Sequence, residues 1–141
     1  MAALQQRTTD LIRTHGDQLL AQWIANLAAT GQGRDNRLSA RDLDVQVREF
    51  WRLFLLAMTA DDAGSLQGGQ WQDIRRFLED ISRDRVLKGY SSSETATFIF
   101  SLKKPLFDLV QQGFTDDATQ QADQLWAVSE LIDLLGLHTV Q

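Results

Sequence analysis

The chain of 141 residues contains no cysteine, a single proline and only two histidines. Without cysteine it has no disulfide framework, thiol nucleophile or cysteine-bound metal, and a reducing cytoplasm is the expected compartment. His15 and His138 lie far apart, and neither belongs to a His-x-x-x-His or Glu-x-x-His pair that would hold zinc or a di-iron centre. We therefore expect neither a metal nor a cofactor.

Positive charge is also scarce, since 14 basic residues face 19 acidic ones and the formal net charge is −5. Such a protein is repelled by phosphate backbones, so a nucleic-acid partner is not expected. The longest apolar run, Leu53 to Met58, is too short to cross a bilayer, and the first ten residues lack the apolar core of a signal peptide. Length and composition indicate one soluble, cytoplasmic domain over residues 1–141, without a membrane partner.

A constellation of catalytic residues is missing as well. The serines at 91–93 have no histidine or lysine base beside them, and the acidic pairs at 61–62 and 116–117 fall in predicted turns. No glycine-rich phosphate loop precedes a helix. We predict no catalytic residue and expect that the protein is not an enzyme.

Apolar residues recur at helical spacing along nearly the whole chain. This pattern predicts an all-α fold, a five- to six-helix bundle with globin-like packing. Five helical segments are predicted, separated by loops at Thr30–Arg37 and Asp61–Gln70 and a turn at Gly113–Ala118. They start near Leu4 (with a possible break at Gly16), Ser39, Trp71, Ser91 and Ala118.

Local signals mark several helix ends. Ser39 with Asp42 forms an approximate capping box, Ser91 with Glu94 forms a true one, and Gly89 is a good C-cap residue. Arg85 lies on the buried stripe of its helix, one turn beyond Ile81 and just before the turn that leads to Glu94. We predict that it pairs with Glu94 or makes another inward hydrogen bond that locks this corner.

Aromatic side chains at helical spacing are usually core residues. The four tryptophans all fall on apolar stripes, and we expect them to be buried rather than to line a ligand pocket. They are Trp23, Trp51, Trp71 and Trp126.

Pro105 stands well inside the helix predicted from Ser91 to Val110. An interior proline removes one backbone hydrogen bond and pushes on the carbonyl four residues earlier, here that of Ser101, at a cost of ~3 kcal/mol. A kink that lets a long helix follow the core is one interpretation. The other is a small cavity at Thr97, Ser101 and Pro105, where a signal molecule or a partner acts.

The last helix is apolar on most sides. Either it is buried all round, or one face meets a second copy of the chain. We predict a homodimer in which this helix carries the interface and the signal. The residues assigned to it are Leu125, Val128, Leu131, Ile132 and Leu135.

The segment "ISRDRVLKGYSSSETATFIFSLKKPL", Ile81 to Leu106, resembles the N-terminal domain of the RsbRD family, the RsbT co-antagonist proteins. With one extra residue between Arg85 and Gly89, it follows the family pattern, and "LLAQWIANL" and "LWAVSELIDLLGLHTV" extend the likeness more loosely. The matching residues are Ser82, Arg83, Arg85, Gly89, Tyr90, Ser91, Glu94, Thr95, Ala96, Phe98, Ser101, Leu102 and Lys103.

The resemblance implies a non-catalytic sensory input domain of an RsbR-like stress-signalling protein or another bacterial regulator. Relatives place this domain before another module through a continuing helix. In RsbR-type proteins that module is a STAS domain, and the assemblies are stressosomes that restrain a switch kinase. A downstream STAS or kinase-type protein partner is therefore expected.

Two other functions stay open at this point. One is a small-ligand or haem-binding globin-like sensor, although neither histidine occupies the later-middle helix where an axial haem ligand is expected. The other is an interaction module without a ligand, whose surface docks a partner protein.

Overall fold

The computed structural model describes residues 4–29, 37–58 and 69–139, and these residues form helices joined by turns, without any strand. The predicted all-α class is confirmed. Within those residues no helix is both long and apolar enough to span a membrane. The loops predicted at 30–37 and 61–70, and the acidic pair at 61–62, lie largely outside the described residues. The helices are α1 Gln6–Thr14, α2 Gly16–Ala29, α3 Ala40–Ala57, α4 Gln72–Leu87, α5 Ser92–Phe100, α6 Lys103–Gly113 and α7 Ala118–Leu137. A short 3-10 turn, Gly69–Trp71, precedes α4.

The described residues form seven α-helices, whereas the sequence predicted five or six. The difference arises because two of the five predicted segments are each broken into two helices. The first break falls at Gly16, as its sequence signal indicated, and His15 caps the end of α1. Gly16 is buried, and a Cβ added there would lie 3.3 Å from Leu55 Cδ1, so glycine lets α2 approach α3 closely. The second break separates α5 from α6 at Ser101 and Leu102.

Capping residues set three of the helix ends where the sequence placed them. The Ser39 hydroxyl accepts from the Asp42 N–H at 3.0 Å, and Ser91 and Glu94 form both halves of a capping box. Gly89 has φ of 92°, and the Tyr90 N–H donates to the Arg85 carbonyl at 2.9 Å. The turn after α4 is therefore a Schellman motif, which requires the left-handed conformation that glycine adopts without strain.

The core is built around aromatic side chains. The Trp23 ring lies 5.4 Å from the ring centroids of both Phe50 and Phe98, and all three side chains are completely buried. Trp51 and Trp71 are buried as well, stacked on or edge-on to Phe54. Three of the four tryptophans are thus core residues, as predicted.

Trp126 is the exception, since it is 66% exposed and its predicted burial is wrong. The core face of α7 carries Val128, Leu131 and Leu135. Trp126 precedes Val128 by two positions, which is about 200° around a helix, so it points to the opposite side. α7 is apolar on most sides, and the apolar pattern alone could not show which side meets the core.

Candidate functional site

Arg85 is enclosed at the corner where α4 meets α5. It is 1% exposed, and its Nε donates to Gln46 Oε1 on α3 at 3.2 Å. Its guanidinium lies over the rings of Phe98, at 4.3 Å, and Tyr90, at 4.7 Å. Of the two arrangements predicted for Arg85, the structure shows the inward hydrogen bond, and the partner is Gln46. The aromatic faces attract the buried cation and so help to offset its loss of hydration.

Glu94 is held by Arg37 and not, as the sequence suggested, by Arg85. Arg37 donates to Glu94 Oε2 at 2.5 Å and Oε1 at 3.1 Å, donates to the Gly89 carbonyl at 2.9 Å and lies 4.1 Å over the Tyr90 ring. Bonds from Arg37, and then from the Ser91 N–H, lower the pKa of Glu94 from 4.5 to about 2 because they stabilise the carboxylate. Sequence reasoning missed Arg37, which lies 57 positions from Glu94 at the end of a predicted loop and carries no local signal.

The break at Pro105 differs from the interior kink that the sequence predicted. Ser101 and Leu102 form a tight turn, in which the Leu102 N–H donates to the Ile99 carbonyl at 3.1 Å. Leu102 is the N-cap of α6, and the first bond of that helix runs from Leu106 N–H to the Leu102 carbonyl at 3.4 Å. Pro105 is therefore the third residue of a new helix. An N–H at that position has no partner within the helix, so the proline removes no helical hydrogen bond.

The predicted pocket residues are engaged in the protein itself. Ser101 Oγ accepts from Trp23 Nε1 at 2.8 Å and donates to the Phe98 carbonyl at 2.6 Å. Exposed Thr97 donates to the Ser93 carbonyl at 2.7 Å. Pro105 is buried, and of three clefts lined by described residues none includes Thr97, Ser101 or Pro105. The geometry favours a bend over a cavity, but the bend lies between two helices and is not a kink within one.

The residues assigned to a dimer interface are placed in the protein's own core. Val128, Leu131, Ile132 and Leu135 are at most 3% exposed, and Leu125 is half-buried. They are covered because α7 packs extensively on α5 and α6, so the surface predicted for a second copy is not available. The outer side of α7 instead exposes Trp126 and Leu137, the latter by 54%.

Three contacts seat the end of α7 against the preceding helices. Lys103 Nζ pairs with Asp133 at 2.5 Å, and Gly136 lies so close to the Phe100 ring that a Cβ there would collide with it. Beyond the helix, the Ser82 hydroxyl donates to the Thr139 carbonyl at 2.5 Å. These contacts join α7 to α4, to α5 and to the first turn of α6.

The family model for the RsbT co-antagonist protein rsbRD N-terminal domain matches residues 17–141, which is most of the chain. The chain belongs to the RsbRD N-terminal domain family. No curated protein and no solved structure matched it. The resemblance read from Ile81–Leu106 is confirmed, and the match begins at α2, so α1 lies outside it.

The motif residues of this RsbRD domain make specific contacts. Gly89 closes α4, Ser91 and Glu94 cap α5, and Ser101 accepts the Trp23 hydrogen bond at the break. Ser82 and Lys103 bind residues on or just after α7. The family pattern thus describes the corner between α4 and α5 and the seat of the last helix.

The two histidines of this RsbRD domain lie apart. His15 lines a cleft between α1, α2 and α6. His138 caps the end of α7, and its buried Nδ1 has no hydrogen-bond partner in the part of the chain that the structure describes. Among the described residues, histidine, aspartate and glutamate side chains do not gather in groups of three that could bind a metal ion.

Proposed function

We propose that this RsbRD domain, over residues 1–141, is the non-catalytic signal-input domain of an RsbR-like or other bacterial regulatory protein. It acts in the cytoplasm as a homodimer and passes its signal through α7 to a STAS or kinase-type module. The proposal depends on one observation, the contacts that two residues of the family pattern make with the last helix. Lys103 pairs with Asp133 on α7, and Ser82 bonds to Thr139 just after it. Residues of the family pattern on α4 and α6 therefore hold the end of the last helix.

The route to α7 starts at the break between α5 and α6. Trp23 on α2 is hydrogen-bonded to Ser101, and the residues on either side of the turn, Phe100 and Lys103, contact α7 at Gly136 and Asp133. A shift of α2 relative to the turn changes both contacts together. Packed interfaces of this kind move between discrete arrangements, which suits a switch.

The dimer surface that fits this structure is the outer face of α7. Trp126 and Leu137 are eleven positions apart, about three turns, and so they lie on one line along the helix. Asp133 lies between them on that side, and its charge is neutralised by Lys103. An exposed tryptophan is a typical anchor of protein interfaces, and a two-fold dimer would use the same patch twice.

Light scattering of the purified domain over a wide concentration range tests the proposal. We expect a dimer whose dissociation constant rises about 30-fold in Trp126→Ala, as for loss of an interface anchor of about 2 kcal/mol. Leu87→Ala is the matched control, because Leu87 is 87% exposed on α4, away from this face. A monomer at every concentration, or equal effects of the two substitutions, contradicts the dimer surface.

A further inference from the structure

A cleft of about 200 Å³ opens where α1 meets α2 and α6 passes alongside them. Its apolar lining comes from Leu11, Leu19 and Leu109, one from each of the three helices. Gly113 also lines it, and a Cβ at Gly113 would collide with Leu11, so the absence of a side chain there lets α1 and α6 approach. The cleft is thus a meeting point of three helices with an apolar floor.

Polar side chains approach the cleft from both walls. His15, Gln18 and Gln22 lie on one side, and Asp108 and Gln112 lie on the other. Gln18, Gln22 and Gln112 are exposed, and within the described residues neither their side chains nor that of His15 bond to another protein group. Each carboxamide offers an acceptor oxygen and two N–H donors, so the walls present free groups from two independent parts of the fold.

The charge of the lining selects among ligands. Asp108 is its one carboxylate, and the lining contains neither lysine nor arginine. The nearest cation to Asp108, Lys104, is 3.7 Å from its Oδ2 and has a 73% exposed side chain, so that pair is weak. An anion would meet the Asp108 carboxylate, which Lys104 offsets only weakly, and the lining itself offers no guanidinium or ammonium group to attract it.

We propose that this cleft binds a small organic cation, an ammonium group joined to a short apolar body on the order of ten non-hydrogen atoms in size. The ammonium donates to Asp108 and to the free carboxamide oxygens of Gln18, Gln22 or Gln112. The apolar body lies on Leu11, Leu19 and Leu109. A charge-assisted bond to the carboxylate orients the ligand, and apolar contact supplies most of the buried area.

The proposal deepens the input function above and rests on it for its consequence. A ligand in this cleft ties α1 and α2 to α6, which begins at the break beside Phe100 and packs on α7. Leu11 and His15 precede residue 17, where the family match begins. The cleft is therefore formed partly by a helix that lies outside the family match.

NMR of the full chain, observing the side-chain amides of Gln18, Gln22 and Gln112, tests the site with three probes of similar size. These are 2-phenylethylammonium, its neutral analogue 2-phenylethanol, and the anion phenylacetate. We expect the ammonium probe to shift these amide signals and to bind about tenfold more tightly than the alcohol. Phenylacetate should bind most weakly.

A matched pair of substitutions identifies the carboxylate. Asp108→Asn keeps the shape of a half-exposed side chain and should weaken the ammonium probe about tenfold without changing the alcohol. Asp80→Asn removes an exposed carboxylate on α4, away from the cleft, and should change neither. Equal binding of the three probes, unchanged ammonium binding in Asp108→Asn, or no shift of these amides would overturn the proposal. A domain that dimerises but binds no probe overturns the cleft alone, whereas a monomer that binds the ammonium probe overturns the dimer alone.

Discussion

The indole N–H of Trp23 donates to the Ser101 hydroxyl at 2.8 Å, and this bond joins α2 to the turn that separates α5 from α6. Trp23 is completely buried. Within the described structure, the Ser101 hydroxyl is the only hydrogen-bond acceptor for this buried N–H. The bond also fixes the position of the two residues that contact α7 on either side of the turn, Phe100 and Lys103.

Ser101→Ala should destabilise the domain by about 1–3 kcal/mol, because a buried donor loses its acceptor. Urea unfolding followed by circular dichroism measures the loss. Ser92→Ala, at an exposed serine in the first turn of α5, is the control and should change stability little. If both variants unfold at the same urea concentration as the parent, the Trp23 bond does not contribute to stability.

Pro105→Ala should destabilise the domain by at least about 0.4–1 kcal/mol. The proline occupies a position that needs no N–H, so its removal gives the unfolded chain more freedom, and it also takes away a buried ring. In a continuous helix the same substitution would instead stabilise by about 3 kcal/mol, since alanine restores the missing bond. The sign of the change in unfolding free energy separates the two geometries, and a large stabilisation would contradict two separate helices.

Glu94 should make stability depend on pH in the acidic range. Its pKa is about 2 in the folded protein and 4.5 ordinarily, so the folded state binds the proton less readily than the unfolded state does. The stabilisation is therefore fully present above about pH 4.5 and is lost as pH falls towards 2. We expect the urea midpoint to decline over this window, and to decline less in Glu94→Gln.

Glu79→Gln is the control for that experiment, because Glu79 is an exposed carboxylate of α4 without a bonding partner in the described part of the chain. It should decline with acid as the parent does. Arg37→Gln should reproduce the flatter profile of Glu94→Gln, since Arg37 makes the largest contribution to the lowered pKa. A parent-like profile in both Glu94→Gln and Arg37→Gln would argue against the ion pair.

Gly136→Ala should cost about 1–2 kcal/mol. The new methyl group would overlap the Phe100 ring, and the penalty for overpacking exceeds the gain in helix propensity. Gly69→Ala is the control, because no atom of the described residues lies within 4 Å of a Cβ built there. Thermal unfolding of the two variants gives the comparison, and a Gly136→Ala protein as stable as the parent would show that the Phe100 ring moves aside freely.

Local chemistry predicted much of the helical framework. Gly16, Ser39, Gly89 and the box from Ser91 to Glu94 each act through groups within a few positions, so their effects can be read directly from the sequence. The proline indicated correctly that the backbone is interrupted near Ser101. The sequence did not indicate that a new helix starts there, because its N-cap, Leu102, has no side chain that can cap a helix.

Contacts between distant segments could not be predicted in the same way. The partner of Glu94 is 57 positions away, and Gln46 reaches Arg85 from another helix. On α7, apolar residues lie on both the inner and the outer side, so periodicity did not distinguish Leu131 in the core from Trp126 in solvent. The cleft at His15 likewise exists only because three helices meet there.

The close approach at Gly136 limits how α7 can travel. Sliding the helix by one turn would bring Ile132 to the place where the glycine meets Phe100, and there is no space for a branched side chain. α7 therefore cannot advance past this contact by a turn, and a change in its position would have to be a rotation about Gly136. Ala118 lies about 27 Å along the helix from Gly136, and Thr139 lies about 5 Å beyond Gly136 in the other direction. A small rotation consequently moves the first turn of α7 several times farther than the last.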